Sequence, residues 1–301
     1  MRYPSPLRYP GGKGSFSRFL TDVVDMNNLR GCVYYEPFAG GAGAAIDLLQ
    51  TGVVTRLHLN DADVRIHAFW DALLTQPESF IERIQTIPLD MDEWQRQHTI
   101  CENHQNYSPF DIGFAAFYMN RCNRSGVLSQ AGPIGGYAQQ GNWRLGARFH
   151  RDNLSTRIQA IARLRDRIAL TGMDALSFLK AYLPKGVARS RALVYLDPPY
   201  VSNSRRLYLN KYCKNDHTTL ARYLLRQKTL PWILSYDDND LIRKLYNTCR
   251  RAILPIRYSL QTKRSTIELV ISPKHISLPS TFRQGSSPSL LLQALPQGEA
   301  P

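Results

Sequence analysis

The stretch LVYLDPPY, residues 193–200, closes an apolar, β-branched run with one carboxylate, two prolines and an aromatic ring. Consecutive prolines cannot extend a strand ladder, so the backbone is fixed in a turn just where Asp197 leaves the apolar run. The turn offers two acceptors, the Asp197 carboxylate and the Pro198 carbonyl, with Pro199 holding the shape and Tyr200 alongside. That set suits an amino group on a flat ring. Such an amine is a poor nucleophile because its lone pair is delocalised. If each acceptor takes one N–H, the nitrogen moves toward tetrahedral geometry and presents its lone pair to an electrophile, a catalysis of positioning and electrostatics. Tyr200 would stack on a base flipped from a duplex. The plainer reading, a strand that merely ends in a Pro-rich turn, is the less favoured one.

A second constellation lies in EPFAGGAG, 36–43. Gly40, Gly41 and Gly43 let the backbone turn tightly and approach a ligand in front of a helix N-terminus. Alone, a glycine-rich strand-to-helix turn is weak evidence. Asp61 adds to it, ending the next strand about 20 residues on, where an acid commonly binds a ribose hydroxyl. Asp174 reads equally as an acceptor for an adenine amino group and as the N-cap of the helix beginning ALSFL. No GxxxxGK[ST] lysine follows the first strand, which disfavours a nucleoside triphosphate. A nucleoside cofactor without a pyrophosphate fits better, and S-adenosylmethionine would use the glycine turn and both acids together.

These residues need a frame. CVYYEP (32–37) and RLHLND (56–61) read as strands, each followed by a helical pattern, the first closed by Gly52. After a long interval come RIALTG (167–172), helix DALSFLKAYL, strand ALVYLD, helix HTTLARYLLRQ, strand WILSYDD, a helix over 240–249, and the strands AILPIRYSL and IELVIS. This alternation predicts a doubly wound, mostly parallel α/β sheet with a terminal antiparallel hairpin. Ligands in such sheets sit outside the carboxyl ends of the strands. Residues 75–165 break the rhythm with helical patterns and a glycine-rich, aromatic stretch, and read as an inserted, mainly helical domain. The expected organisation is a catalytic first part over 1–74, the insertion over 75–165, a second catalytic part over 166–272 and a flexible, Ser/Pro/Gln-rich tail over 273–301.

Bulk properties narrow the partners. The chain of 301 residues carries 38 Lys+Arg against 24 Asp+Glu, a formal charge of +14. An excess of that size points to a polyanion, nucleic acid first. Cys32, Cys101, Cys122, Cys213 and Cys249 are odd in number and lack CxxC spacing, against a disulfide framework and a zinc site. No run reaches the roughly 18 apolar residues of a membrane span, and MRYPSPLRYPGGK has no apolar core of a signal peptide. The expectations are a cytoplasmic monomer with no membrane and no metal requirement.

At this point the sequence resembles the Dam-like (D12 class) adenine-N6 DNA methyltransferases over roughly residues 5–272. The resemblance rests on PLRYPGGK (6–13), EPFAGGAG (36–43), LND (59–61), FYMNRCNRSG (117–126), YLDPPY (195–200) and ILSYDD (233–238), in that order. It implies a Rossmann-like, S-adenosylmethionine-dependent sheet interrupted by a target-recognition insertion, acting on double-stranded DNA. It implies cofactor contacts for Tyr9, Lys13 and Phe38 beside the glycine turn, a ribose role for Asp61, and catalysis by Asp197-Pro198-Pro199-Tyr200. Ala42 stands where a strict G-x-G would place glycine. The NR of MNRCNRSG matches a motif opening the DNA-contacting segment, which makes Asn120, Arg121 and Arg124 expected DNA contacts.

The insertion's own composition supports that surface. Arg121, Arg124, Arg144, Arg148, Arg151 and Arg157 lie among Tyr137, Trp143 and Phe149. Arginines grip phosphates or fork onto guanine edges, and an aromatic ring can fill the gap left by a flipped base. A second basic stretch, Arg205, Arg206, Lys211 and Lys214, follows the DPPY turn; it reads equally as a phosphate grip and as an ordinary loop. A cytosine-C5 enzyme would need a cysteine typically after proline, and none of the five follows one. Enzymes acting on RNA or a protein glutamine usually place the loop nearer the glycine turn. A catalytically silent DNA-binding relative is the remaining alternative, against which Lys13, Asp197 and Tyr200 are intact.

Overall fold

The computed structural model describes residues 4–8, 16–201, 212–258, 264–282, 290–291 and 293–294. Among the described residues the main sheet has seven principal strands, β1 (Cys32–Glu36), β2 (Val54–Asn60), β3 (Ile168–Thr171), β4 (Ala192–Leu196), β5 (Trp232–Asp237), β6 (Arg250–Tyr258) and β7 (Arg264–Ser272), and a two-residue eighth at its edge, Gln293–Ala294. The spatial order of the seven is β3-β2-β1-β4-β5-β7-β6. The first five are parallel, while β7 runs antiparallel to both β5 and β6. The chain winds outward from β1 to β3 in one direction and resumes at β4 in the other. Its switch point therefore lies between β1 and β4, where the carboxyl ends of two parallel strands open a crevice.

The faces follow from strict alternation along the strands. Ala192, Val194 and Leu196 join one apolar cluster, Leu193 and Tyr195 the other. The first cluster packs on α8 (Ala175–Tyr182), α9 (Lys214–Leu225) and α10 (Asp240–Leu245). The second packs on α1 (Phe16–Met26), α2 (Gly43–Gln50) and α3 (Val64–Thr75). Gly52, at φ 73°, follows α2 as its sequence pattern requires.

Between β2 and β3 the crossover is long: α3 is followed by α4 (Pro77–Thr86), α5 (Met91–Glu102), α6 (Pro109–Cys122) and α7 (Arg151–Ala162). These helices continue the same apolar cluster that covers the sheet, so the insertion shares its core with the catalytic part rather than folding apart from it. The rings of Phe69, Phe80, Phe114, Phe117 and Phe149 lie 5.1–6.1 Å apart, centroid to centroid, and join α3, α4, α6 and the segment before α7. Helix α6 is buried from Ile112 to Cys122. Gly113 sets its approach to α3, since a Cβ there would sit 2.3 Å from the Ala68 carbonyl oxygen.

The segment after Ser272 departs from a free tail over its described part. Ile276 is buried and Leu278 packs against the core, while Ser277 exchanges two hydrogen bonds with the Asn27 side chain. Residues Gln293–Ala294 pair antiparallel with β6 at the sheet's outer edge. A few apolar residues with an available strand edge are enough to hold a segment whose overall composition is polar.

A methyl group at the α3–α6 contact tests this packing. Gly113→Ala has no flexible neighbour to displace and is expected to cost about 2 kcal/mol or more. Chemical denaturation should read that as a lowered midpoint with an unchanged slope.

Candidate active site

The polar residues at the carboxyl edge fall on one face. Tyr34 and Tyr195 belong to the cluster under α1, and Phe16 of α1 sets its ring 5.2 Å from that of Tyr195. By the same alternation Glu36, Asp197, Ser235, Asp237 and Glu268 project to that side of four adjacent strands. Tyr195 and Ser235 share a hydrogen bond of 2.9 Å, and the Ser235 hydroxyl donates to Asp197 Oδ1 at 2.9 Å. The DPPY carboxylate is thus half-buried and oriented from behind. Pro198 and Pro199 are buried. The Tyr200 hydroxyl donates to Glu268 Oε1 at 2.8 Å, and the Val201 N–H donates to Asp237 Oδ1 at 3.2 Å. Burial, with Glu36 close by, pushes the Tyr34 hydroxyl well above the usual phenol range.

The glycine turn is built from its backbone. Gly40 takes φ 47°, and Ala42 takes φ 43°, a left-handed conformation that glycine adopts at less cost. Gly40 and Gly41 are buried, and Gly43 opens α2. The Gly40 N–H donates to Asp61 Oδ2 at 2.7 Å, and its carbonyl accepts from the Trp70 indole at 2.9 Å. Both backbone groups of Gly40 are therefore used within the fold. Asp61 Oδ1 also accepts the Asp63 N–H at 2.9 Å. Burial drives the Asp61 carboxyl up to about 7, against the pull of these two N–H donors.

Asn60, beside it, is fully buried and locks three strand ends together. Its amide donates to the carbonyls of Pro37 and Met173, while its oxygen accepts from the Thr171 hydroxyl and the Met173 N–H. Asp174 is the N-cap of α8, accepting from Leu176 and Ser177 through Oδ1. It is exposed, and its charge acts on the neighbouring Tyr212 hydroxyl. Phe38 is half-buried at the end of β1, with its ring edge-on to Tyr212 at 5.7 Å. Tyr212 in turn meets His217, whose Nδ1 lies 2.7 Å from the Tyr236 hydroxyl. Tyr9, Lys13, Arg205, Arg206 and Lys211 lie outside the described residues.

A family model for the D12 class N6 adenine-specific DNA methyltransferases matches residues 9–261, a span that holds both the glycine turn after β1 and the DPPY turn after β4. The chain belongs to that family. S-adenosylmethionine is accordingly its methyl donor. No curated protein matches it by sequence. Among solved structures, a conserved hypothetical protein of Streptococcus pyogenes is 11% identical over 84% of this chain and 96% of its own, with a TM-score of 0.32. The rRNA methyltransferase AviRa of Streptomyces viridochromogenes is 14% identical over 86% and 85%, at 0.31. SMU.472, solved with SAH, is 14% identical over 68% and 55%, at 0.25.

Within this methyltransferase the insertion's arginines divide. Asn120 and Arg121, expected at the DNA surface, are buried. Asn120 accepts the Arg8 N–H at 2.6 Å and donates to the carbonyls of Arg8 and Gly126. Arg121 donates to the carbonyls of Arg148 and Pro6. Both side chains brace residues 5–8 against the end of α6, and this corrects the expectation of DNA contact. The carbonyls at the end of α6 have a donor of their own, the Arg8 guanidinium, which reaches those of Asn120, Arg121 and Asn123. Burial, with Arg8, Arg157 and Arg148 close by, lowers the Arg121 guanidinium to about 9. Arg151 is spent on the carbonyls of Ile84 and Ile87, and Arg157 on that of Ser5.

Arg124, Arg144 and Arg148 are exposed. Tyr137 and Trp143 stand beside them 70% and 66% exposed, and the Arg148 guanidinium lies 5.9 Å over the Trp143 ring. The loop that carries them is held by Gln139, which bonds the backbone of Ile134, Gly136 and Leu145, and by Asn123, which bonds Val127 and the Trp94 indole. Among the described residues no group of His, Cys, Asp and Glu could hold a metal ion, and no helix is long and apolar enough to cross a membrane.

Sequence reading did not single out Asn60, Tyr212, Ser235, Asp237 or Glu268. The signal available was the alternate placing of Ser235 and Asp237 in WILSYDD, and one carboxylate inside IELVIS.

The division of the insertion's side chains has a direct check. Asn120→Ala strands buried backbone groups and is expected to lower stability by about 2 kcal/mol. Arg144→Ala, fully outside the core, should change it by less than about 0.5 kcal/mol. Thermal denaturation of the two variants beside the wild type separates a brace from a surface charge; equal effects would contradict the division.

Proposed function

We propose that the chain transfers a methyl group from S-adenosylmethionine to the N6 amine of an adenine flipped out of double-stranded DNA at a specific sequence. The observation that carries this reading is the setting of Asp197. It leaves β4 at the switch point with one carboxylate oxygen held by Ser235, next to two buried prolines and the anchored Tyr200.

The residues at the neighbouring strand ends fit a nucleoside cofactor. Phe38 and Tyr212 give an aromatic wall, and the half-buried Asp61 gives a carboxylate fixed by two backbone donors. Ribose hydroxyls are donors, and a desolvated carboxylate at such a site gains from each one it accepts. Asp174 is exposed, with its capping bonds confined to Oδ1. The glycine turn, with Gly40, Gly41 and Gly43, brings backbone close to the same crevice; Gly40 does so as a shape rather than as a donor.

When bound, the cofactor supplies a methyl group activated on a sulfonium. The protein's share is orientation. Asp197 and the Pro198 carbonyl accept the two amine hydrogens, so the nitrogen lone pair points out of the ring plane. The Asp197 carboxylate stabilises the positive charge that develops on nitrogen and is placed to take the proton the nitrogen loses once it is methylated. Tyr200 stacks on the extruded base, and Pro199 keeps ring and carboxylate in fixed relation. Arg124, Arg144 and Arg148 provide phosphate or base contacts, with Tyr137 or Trp143 placed to occupy the gap in the stack. The formal charge of +14 favours a polyanionic substrate.

The decisive assay uses purified protein, S-adenosylmethionine and unmethylated plasmid, followed by digestion to nucleosides and mass spectrometry. N6-methyladenine is expected from the wild type and a loss of about a thousandfold or more from Asp197→Ala. Cofactor binding with no methylated base would turn the reading toward RNA or a protein glutamine. The ribose role of Asp61 has its own signature. Its carboxyl, raised to about 7, is a charged acceptor on both oxygens only when ionised, so affinity should fall as pH drops through that value. Between pH 8 and 5.5 calorimetry with S-adenosylhomocysteine should record a loss of up to about thirtyfold, which Asp61→Asn abolishes. A profile that is level in the wild type would remove Asp61 from the ribose site.

A further inference from the structure

Glu268 is the anomaly of the antiparallel part of the sheet. It has no solvent exposure, and Leu269, Val270 and Ile271 follow it in β7, all fully buried. A carboxylate in such a place costs far more than an aliphatic side chain of similar volume unless its oxygens accept strong hydrogen bonds. One of them reaches outside the strand altogether, to the Tyr200 hydroxyl at 2.8 Å. In the sheet register Glu268 stands opposite Asp237 of β5, whose Oδ1 takes the N–H of Val201, the very next residue of the turn. Two residues earlier on β5, Ser235 holds Asp197.

We propose that Glu268 is a positioning residue for the methyl-transfer site: its buried carboxylate holds the Tyr200 hydroxyl and so fixes the plane of the ring on which the target base stacks. The two prolines restrict the turn at its centre, and the carboxylates of two adjacent strands pin its outgoing end at consecutive residues. A tyrosine free at its hydroxyl can swing about χ1 and χ2. One bonded at 2.8 Å to a strand of the sheet core is held at both ends of its side chain. The proposal rests on the reading of Tyr200 as the stacking residue of a base-modifying turn. It adds that the antiparallel strand β7, which carries no part of the DPPY motif, supplies the accuracy of that turn.

A double-mutant cycle in the full chain tests it, with Glu268→Ala, Glu268→Gln, Tyr200→Phe and the double variant Tyr200→Phe/Glu268→Ala. Glu268→Ala is expected to lower kcat on DNA by about 10–100-fold while the KM for S-adenosylmethionine stays within about twofold, the pattern of a misplaced reacting group. Glu268→Gln keeps an acceptor and should retain most of the rate. With the hydroxyl already removed in Tyr200→Phe, the further change to Ala at 268 should cost little. Losses that simply multiply would overturn the proposal, because a general structural role for Glu268 does not depend on the tyrosine hydroxyl.

A second readout does not depend on turnover. With 3-fluorotyrosine placed at position 200, its fluorine resonance should shift and broaden in Glu268→Ala and stay near the wild-type position in Glu268→Gln. An unchanged resonance in Glu268→Ala would overturn the anchor. Should Glu268→Ala fail to fold, the comparison of Glu268→Gln and Tyr200→Phe by the same two measurements still decides it: a Gln variant that loses as much rate as Tyr200→Phe, with a displaced resonance, would refute a requirement for an acceptor alone. A wild type that makes no methyladenine would sink the proposed function, while the fluorine signal would still report on the anchor.

Discussion

The parallel pairing of β1 with β4 is the constraint from which the site follows. Those two strands run the same way, but the chain leaves them toward opposite edges of the sheet, so no crossover covers the gap between their carboxyl ends. The glycine turn must fold beside that gap because it follows β1, and the DPPY turn must face it because it follows β4. Pleating then decides the side. Since alternate residues point to opposite faces, a register that buries Leu193 under α1 also sends Tyr195 and Asp197 there. The same rule brings Ser235, Asp237 and Glu268 to that side from the neighbouring strands. A shift of one residue in β4 or β5 would move the carboxylate and its serine to different faces and break their bond.

Placing so many polar groups at the edge of an apolar core is costly, and the structure offsets the cost by local satisfaction. Asn60 uses both of its donors and both faces of its oxygen to join the ends of β1, β2 and β3. Asn120 does the same work between residue 8 and the end of α6. Asp61 accepts two backbone donors and is still held at about 7, a sign that its environment favours the neutral form when nothing else is bound. A ligand bringing hydroxyl donors would relieve that desolvation, which is the physical reason an unfavourable carboxylate is useful there.

Much of the fold was legible because strands and helices follow one another with clear periods. The residues of DPPY and the acid of LND were legible because a carboxylate at the end of an apolar strand is conspicuous. Helices α1, α5 and α7 carry no pattern that the sequence alone made plain. In α5 the sequence MDEWQRQHTICE is largely polar, and its buried side comes from Trp94, Gln97, Ile100 and Cys101, which include an amide hydrogen-bonded to Glu93. The arginines of the insertion could not be sorted by sequence at all. A guanidinium has five donors and serves equally well on a phosphate or on the carbonyls at a helix end. Only the fold reveals that Arg121, Arg151 and Arg157 meet backbone carbonyls while Arg124, Arg144 and Arg148 remain exposed. Glu268 was hidden for the opposite reason: in IELVIS it reads as a solvent-facing position, and its partner lies 68 residues away in the chain.

The sharing of one core between insertion and sheet has a mechanical consequence. In a chain whose recognition part hangs from a linker, substrate contact and catalytic geometry can vary independently. Here α6 is clasped to α3 through Gly113, its end is clasped to residues 6–8 through Asn120 and Arg8, and α3 holds the glycine turn through Trp70. The exposed arginines and aromatic rings sit on a loop bonded to that same helix end, where Ile134 donates to the Cys122 carbonyl. Force applied at the loop by a bound partner is therefore passed through packed elements to the glycine turn rather than lost in a hinge. Rigidity of this kind favours a site in which stacking surface, acceptor and cofactor turn must agree to within a fraction of an ångström.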